Sequence, residues 1–202
     1  MKKSIEEIRR GELIEAAYRA FLKFGLGGLT SARISREAGM SPGILNYYFK
    51  SKDEILIWMI RYANRLITME VVRGLERARS PWERILAIIA GNFPAEMFDV
   101  PTASAWVSFF SALPQKPEFA KLQMLFYRRL ATNLRSALEP HLTVQEAKPL
   151  ILGISVMIDG LWLRRGLDGN DLTREDAVAL ISDHVERALG AEMMRLMRAK
   201  AG

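Results

Sequence analysis

Apolar residues recur at helical spacing along almost the whole 202-residue chain. Between Leu13 and Phe24 they stand at i, i+3, i+4, i+7, i+8 and i+11, which places them on one face of an α-helix. No segment alternates β-branched and polar residues, and no Asn-Gly pair marks a hairpin turn. The sequence therefore predicts an all-α protein of about nine helices, three short ones followed by a larger helical body.

Capping residues, glycines and prolines indicate where these helices begin and end. The FGLGG segment ends the first helix, Thr30 or Ser31 caps the second, and Gly39 ends the second. Ser41 is predicted to cap the third helix, with Pro42 in its first turn. The other helices are predicted over residues 53–78, from Ser80 onward, and over residues 102–113, 117–139, 144–165 and 174–190.

Several kinds of site are excluded by composition and motif. The chain has no cysteine, which rules out disulfides and thiolate metal sites, and its two histidines, His141 and His184, lack the spacing of metal ligands. The sequence contains no phosphate-binding loop, no dinucleotide glycine pattern and no Ser-His-Asp or Cys-His arrangement. We therefore expect no enzyme activity, no catalytic residue, no metal and no cofactor.

The apolar runs of the sequence are shorter than the 18 or so residues that a membrane span needs. Lys2 and Lys3 are not followed by the apolar stretch of a signal peptide. These features predict a cytoplasmic protein without a membrane partner.

Positive charge is concentrated at the N-terminal end of the chain. Residues 1–52 contain ten Lys or Arg against five Asp or Glu, whereas the remaining residues contain nineteen against eighteen. A basic head on a nearly neutral body indicates that the head meets a polyanion such as nucleic acid. A solvated surface is the alternative explanation for so modest an excess.

The stretch GMSPGILNYYFKSKDEI, residues 39–55, predicts the second half of a helix-turn-helix. In this motif two short helices are joined by a turn with glycine, and the second helix enters the major groove of DNA. The side chains of helix 42–48 cannot all face inward, so part of its polar and aromatic set must face outward. Asparagine can read adenine, and tyrosine hydroxyls can reach phosphates. Lys52 is placed to neutralise a phosphate, Gly43 leaves room for close approach, and Tyr48 is either a core residue or a phosphate contact.

This N-terminal stretch resembles the TetR family of transcriptional repressors. Over residues 9–56 it has the glycine before a helix-starting threonine, then Ile-x-x-x-Ala-Gly-hydrophobic-Ser and Tyr-Phe-x-x-Lys. The resemblance implies a homodimer in which residues 1–52 bind a palindromic operator, while residues 53–202 bind a small-molecule effector and dimerise. It favours a repressor over an activator. A helical adaptor that binds only protein is the other alternative, and it would not need Ser-Pro-Gly together with Asn-Tyr-Tyr. The DNA contacts that it carries over are Thr30, Ser31, Ser41, Pro42, Gly43, Ile44, Asn46, Tyr47, Tyr48 and Lys52.

The helix predicted over residues 144–165 is apolar on nearly all sides, which indicates that it is buried on more than one side. A four-helix seam, formed with helix 174–190 and the same two helices of a twin subunit, would bury it. A central helix in a monomeric core is the alternative. Gly153 and Gly160 would allow close helix packing, and Pro149 should kink the helix or delay its start.

Aromatic residues and one carboxylate in the body indicate an effector pocket. Asp159 lies in an otherwise apolar helix, where a carboxylate needs a partner. That partner is either an arginine at the dimer seam, Arg135 or Arg164, or a cationic ligand held beside aromatic faces. The predicted effector-binding residues are Phe93, Trp106, Phe109, Phe110, Tyr127, Asp159 and Trp162.

The segments IIAGNF, AWVSFF, RLATNL and, above all, IDGLWLRRGL resemble the BetI-type repressors, the choline-responsive members of the TetR family. This resemblance implies choline or a related quaternary ammonium compound as the effector. The IDGLWLR segment is equally explained by a shared dimer seam in place of a shared pocket. The alternative effector is a neutral apolar compound.

Overall fold

The computed structural model describes residues 4–168 and 171–199, and all regular structure in these two ranges is helical. The all-α prediction is therefore confirmed. Within those ranges no helix has both the length and the apolarity to cross a membrane. The helices are α1 Ile5–Gly28, α2 Ser31–Ala38, α3 Pro42–Tyr48, α4 Lys52–Arg77, α5 Pro81–Gly91, α6 Val100–Phe110, α7 Pro117–Leu138, α8 Val144–Asp168 and α9 Arg174–Arg198, with a 3₁₀ turn at Leu113–Gln115.

The N-terminal helix boundaries follow the predicted caps with one exception. The backbone of α1 leaves helical geometry at Gly25, where φ is 62°, and Thr30 rather than Ser31 caps α2 by accepting a hydrogen bond from the Arg33 amide. Gly39 ends α2 in the left-handed conformation, which glycine adopts without steric cost. Ser41 occupies the predicted N-cap position of α3, but its side chain makes no capping hydrogen bond.

The body helices differ from the prediction mainly at their ends. Helix α6 begins at Val100 because the Asp99 carboxylate accepts a hydrogen bond from the Thr102 amide. Helix α8 begins at Val144 and continues through Pro149, so the predicted delay of its start is wrong. A reciprocal pair of bonds between Thr143 and Glu146 sets that start.

A single core joins the N-terminal helices to the body. Helix α1 packs against α2, α4 and α6, and α6 packs against α8. Phe21 of α1 is fully buried and meets Trp106 of α6 edge to face, with ring centroids 5.5 Å apart. Phe24, predicted on the same apolar face, is instead 44% exposed, and the Arg33 guanidinium lies over its ring.

Close helix contacts occur at glycines other than the two predicted. A Cβ atom added to Gly91 of α5 would lie 2.7 Å from backbone atoms of Val71 in α4. The same atom on Gly153 would meet only His184 at 3.6 Å, and on Gly160 it would meet nothing within 4 Å. Within this chain, therefore, Gly91 and not Gly153 or Gly160 marks a tight helix crossing.

Candidate nucleic-acid interface and ligand pocket

Helix α3 divides into a buried side and an exposed side. Leu45 and the following Phe49 are buried, whereas Ile44 is 40% exposed and Tyr47 80% exposed. Asn46 is also exposed. Part of the polar and aromatic set does face outward, as predicted, but Ile44 stands with that set and not in the core.

The outward side chains have little contact with the rest of the protein. Across the described part of the chain, the side chains of Ser41, Asn46 and Tyr47 have no hydrogen-bond partner. Tyr48 is half-buried against the core, and its ring meets that of Tyr47 edge to face at 5.1 Å. Hydrogen-bonding groups on this face of α3 are thus available to an external partner.

Gly43 has no structural requirement to be glycine. Its φ is not positive, and an added Cβ atom would meet only the Ser41 hydroxyl, at 3.7 Å. The missing side chain therefore leaves open space on the outer side of α3. Such space allows the close approach of another backbone.

Thr30 and Ser31 lie at the start of α2, and Lys52 lies at the start of α4, the helix that follows α3. Thr30 precedes α2 and is exposed, Ser31 is its first residue and is half-buried, and Lys52 is the first residue of α4 and is exposed. Lys52 and the neighbouring Lys50 form no ion pair with any described residue. Lys52 therefore has no ion-pair partner in the described chain, whereas the Lys50 charge interacts with the Glu54 carboxylate at longer range.

Arg10 holds the end of α3 in place, a role that sequence reasoning missed. Its guanidinium donates to the Tyr48 carbonyl at 2.8 Å and to the Glu54 carboxylate at 2.7 Å, and it lies 4.4 Å from the centre of the Phe49 ring. The hydrogen bond from Arg10, together with one from the Lys50 amide, lowers the pKa of Glu54. Arg10 is 38 and 44 residues from its two hydrogen-bond partners, so no local spacing reveals it.

A cavity of about 40 Å³ lies among α4, α6, α7 and α8. Four of the predicted effector residues line it: Trp106, Phe110, Asp159 and Trp162. Asp159 is the one ionisable side chain among the described residues of its wall. The cavity thus combines aromatic surface with a single acidic group.

The other three predicted effector residues do not line this cavity. Phe93 is fully buried behind the wall and stacks on Trp162 with centroids 6.3 Å apart. Phe109 is fully buried and packs edge to face on Trp106 at 5.3 Å. The Tyr127 hydroxyl donates a hydrogen bond to Asp159 at 2.6 Å. These three side chains support the lining groups from outside.

Asp159 has a tyrosine partner within the chain. Burial raises the pKa of the Asp159 carboxyl, and the hydrogen bond from Tyr127 opposes that change. Burial, followed by the interaction with Asp159, raises the pKa of Tyr127 to about 12, so the phenol stays protonated at neutral pH. Arg135, one of the two arginines predicted as possible partners of Asp159, forms an ion pair with Glu139 at 3.3 Å instead.

Polar groups that sequence reasoning missed complete the wall. Asn64, Asn92 and Gln123 line the cavity. The Asn92 backbone carbonyl also accepts a hydrogen bond from the Trp162 indole at 3.0 Å. Phe126 and Ile67 add apolar surface. These residues belong to separate segments, and nothing in their local sequence marks them as neighbours.

Two family models cover the chain on either side of the α4–α5 junction. Residues 13–58 match the model for bacterial regulatory proteins of the tetR family, and residues 81–190 match the model for the C-terminal part of BetI-type transcriptional repressors. The chain belongs to the TetR family. Its predicted resemblance to BetI-type regulators is confirmed, and the protein is a transcriptional regulator, not an enzyme.

Relatives and solved structures agree with this assignment. The HTH-type transcriptional regulator BetI of Brucella anthropi is 35% identical over 191 residues, covering 95% of this chain and 98% of the relative. The regulator of the same name from Rhizobium meliloti is 34% identical and covers 94% of both chains.

Two crystal structures show the same fold as this TetR-family regulator. A transcriptional regulator from Pseudomonas aeruginosa PAO1 superposes with a TM-score of 0.76 at 23% identity, covering 96% of each chain. A regulator from Saccharomonospora viridis in complex with choline has a TM-score of 0.72 at 22% identity, covering 87% of this chain and 94% of that one.

Proposed function

We propose that this TetR-family regulator is a cytoplasmic repressor that binds a palindromic DNA operator as a homodimer. It leaves the operator when a small quaternary ammonium compound, such as choline, binds in the cavity. Residues 1–52 form the DNA-binding part and residues 53–202 the effector-binding and dimerisation part. The observation that carries the effector assignment is the Asp159 carboxylate in the wall of an aromatic cavity.

The chemistry of the cavity suits a quaternary ammonium ion. Such an ion has no N–H to donate, so it is recognised by aromatic faces and by a nearby negative charge. Trp106, Phe110 and Trp162 supply the aromatic surface, and Asp159 supplies the charge. The choline complex of the Saccharomonospora viridis regulator and the resemblance to BetI-type repressors both support choline as the first compound to test.

The cavity must enlarge to admit such a ligand. At about 40 Å³ it has room for a few water molecules only. Its wall includes Asn64 and Ile67 of α4, and the same helix begins at Lys52, four residues after α3. We propose that this enlargement shifts α4 relative to α6 and α8, either as a whole helix or starting from the Asn64 side chain. A hundredfold loss of DNA affinity requires that the ligand prefer the DNA-free form by about 2.7 kcal/mol.

The exposed apolar face of α8 supports the homodimer. Leu152, Val156 and Leu163 lie on one side of this helix and are 42–63% exposed, and Gly160 lies between them. On α9, Leu180 is 53% exposed. Apolar stripes of this kind are typical of an interface. A twin subunit would cover this stripe, with Gly160 allowing close packing.

The DNA assignment rests on α3 and its surroundings. The free side chains of Asn46 and Tyr47 would contact bases, whereas the Thr30, Ser31, Ser41 and Tyr48 hydroxyls and the Lys52 ammonium would contact phosphates. Pro42, Gly43 and Ile44 would shape the close approach to the groove. With about six to ten phosphate contacts per dimer, affinity should fall steeply with salt.

A neutral apolar effector is the alternative, and one observation favours it. The Asp159 carboxyl is already bonded to Tyr127, and burial raises its pKa. If the Asp159 carboxyl remains bonded to Tyr127, the cavity is mainly aromatic and has no free charge to attract a cation.

The test of the effector is a titration followed by tryptophan fluorescence, with choline and a neutral apolar compound of similar size as ligands. Trp106 and Trp162 line the cavity and should report binding. We expect saturable choline binding in the wild type and in Asp171→Asn, an exposed control, and loss of that binding in Asp159→Asn. Binding of the neutral compound alone would favour the alternative.

A further inference from the structure

An open groove between α4 and α7 adjoins the cavity. Asn64 of α4 and Phe126 of α7 line both spaces, so these two side chains form the partition between them. The groove is much the larger, at about 470 Å³. A ligand in the cavity that displaced either side chain would extend into the groove.

Three arginines line this groove: Arg61 and Arg65 of α4 and Arg129 of α7. No Asp or Glu lines it, and none of the three guanidinium groups forms an ion pair with residues 4–168 or 171–199. Arg129 donates to the Thr68 hydroxyl at 2.6 Å, and Arg61 lies 5.1 Å from the centre of the Trp58 ring. These two arginines are therefore oriented by neutral partners, and the positive charge of the groove is not compensated.

We propose that the effector is a zwitterion with a quaternary ammonium group and an oxyanion, and that the oxyanion binds in this groove. The ammonium group lies in the cavity beside Asp159, and a carboxylate or phosphate at the other end meets Arg65 and Arg129. Planar guanidinium groups bind such oxyanions through paired hydrogen bonds. This inference rests on the proposed function, because it extends the same ligand beyond the cavity.

The charges disfavour a simple cation as the best ligand. An ion such as choline would have to bind next to three like charges, which lowers its affinity. A zwitterion meets charge of the opposite sign at both ends. It would also connect α8, which carries Asp159, to α4, which carries Arg61 and Arg65 and leads back to α3. The oxyanion would thus add charged contacts on α4 to those that Asn64 and Ile67 of the same helix already offer in the cavity.

The test is isothermal titration of the full-length protein with four probes. Choline has the quaternary ammonium group without an anionic group. Glycine betaine has a carboxylate in place of the hydroxymethyl group of choline, one carbon from the nitrogen. Phosphocholine adds a phosphate two carbons away, and 3,3-dimethyl-1-butanol is the neutral analogue of choline. We expect at least one zwitterion to bind about tenfold more tightly than choline, and the preferred one identifies the oxyanion. The preference should shrink as salt rises, because the groove is open to solvent.

Two substitutions locate the oxyanion. Arg65→Gln and Arg129→Gln should each reduce zwitterion affinity toward that of choline and slightly improve choline affinity, because one like charge is removed. Arg65 is exposed and has no hydrogen bond, ion pair or ring contact with residues 4–168 or 171–199, so its variant should keep the wild-type Tm. Arg128→Gln, next to Arg129 on α7 but outside the groove, is the matched control and should behave as wild type.

The outcomes separate this inference from the proposed function. Equal affinity for choline and both zwitterions, or a zwitterion preference that survives both groove substitutions, would overturn the groove assignment and leave the cation cavity standing. Binding of the neutral alcohol alone would overturn the cation cavity and, with it, the zwitterion.

Discussion

The outer face of α3 and the wall of the cavity are built in opposite ways. On α3, Asn46 and Tyr47 are exposed, and their side chains have no hydrogen-bond partner among the described residues. In the cavity, Asp159 is bonded to Tyr127 and Trp162 to the Asn92 carbonyl. Under the proposed function, a partner of α3 would gain contacts without breaking any, whereas a ligand would have to enlarge a cavity of about 40 Å³ whose wall groups are already bonded to each other. If both proposals hold, the first surface needs no rearrangement to bind, whereas the second couples binding to rearrangement.

The two regions are connected through α1 as well as α4. Trp106 lines the cavity and also meets Phe21 of α1. Two residues further along α6, the Ser108 hydroxyl accepts a hydrogen bond from the Leu26 amide at 2.8 Å, just after the break in α1 at Gly25. A shift of α6 caused by a ligand would thus reach the segment that precedes Thr30 and α2.

The largest expected effect is on the stability of the body. In Gly91→Ala, the new Cβ atom would lie 2.7 Å from the backbone of Val71, and backbone atoms cannot move aside cheaply. We expect the free energy of unfolding in urea to fall by about 3 kcal/mol. Gly43→Ala on α3 is the control and should leave stability unchanged or raise it by up to about 1 kcal/mol. Wild-type stability of Gly91→Ala would show that α4 and α5 do not cross this closely.

The next effect concerns DNA affinity without a change in stability. Tyr47→Ala removes a side chain that is 80% exposed, so DNA affinity should weaken by about 1–3 kcal/mol while the Tm stays at the wild-type value. The measurement is fluorescence anisotropy with an operator obtained by selection. Leu45→Ala, on the buried side of the same helix, should instead lower stability by about 2–5 kcal/mol. An equal loss of stability in both variants would remove the distinction between the two sides.

The pH dependence of choline binding tests the charge of the cavity. Burial raises the pKa of Asp159, so the carboxylate is available above that raised pKa and is lost as the pH falls through it. As the pH is lowered, choline affinity should therefore fall by about tenfold, or 1.4 kcal/mol. This fall should begin at a higher pH than the protonation of an ordinary aspartate would produce. Titration of 3,3-dimethyl-1-butanol over the same range should show no such change. Choline affinity independent of pH down to the range of an exposed aspartate would contradict a role for this charge.

The smallest effect is expected for a single phosphate contact. Lys52→Ala should weaken binding to all DNA sequences alike and reduce the slope of log affinity against log salt by about 1. Lys121→Ala, an exposed lysine of α7 that pairs with Glu118, is the control for the loss of one positive charge. An unchanged slope for Lys52→Ala would remove this lysine from the phosphate contacts.

Short-range signals account for what the sequence determined. The α3 boundaries, the left-handed turn at Gly39 and the caps at Thr143 and Thr173 depend on residues no more than about four positions apart. The motif of α2 and α3 lies within one such local stretch, which explains why the family could be identified from the sequence. The aromatic residues and Asp159 were also identified, since an acidic residue is conspicuous in an apolar helix.

Only the tertiary structure decided which of these side chains meet. The Tyr127–Asp159 bond joins residues 32 positions apart, and the Trp162–Asn92 bond joins residues 70 positions apart. Periodicity shows that a helix has an apolar face but not which neighbour covers it. For that reason the support by Phe93 and Phe109, the Arg10 contacts and the arginine groove could not be read from the sequence. They depend on the angles and offsets at which whole helices pack.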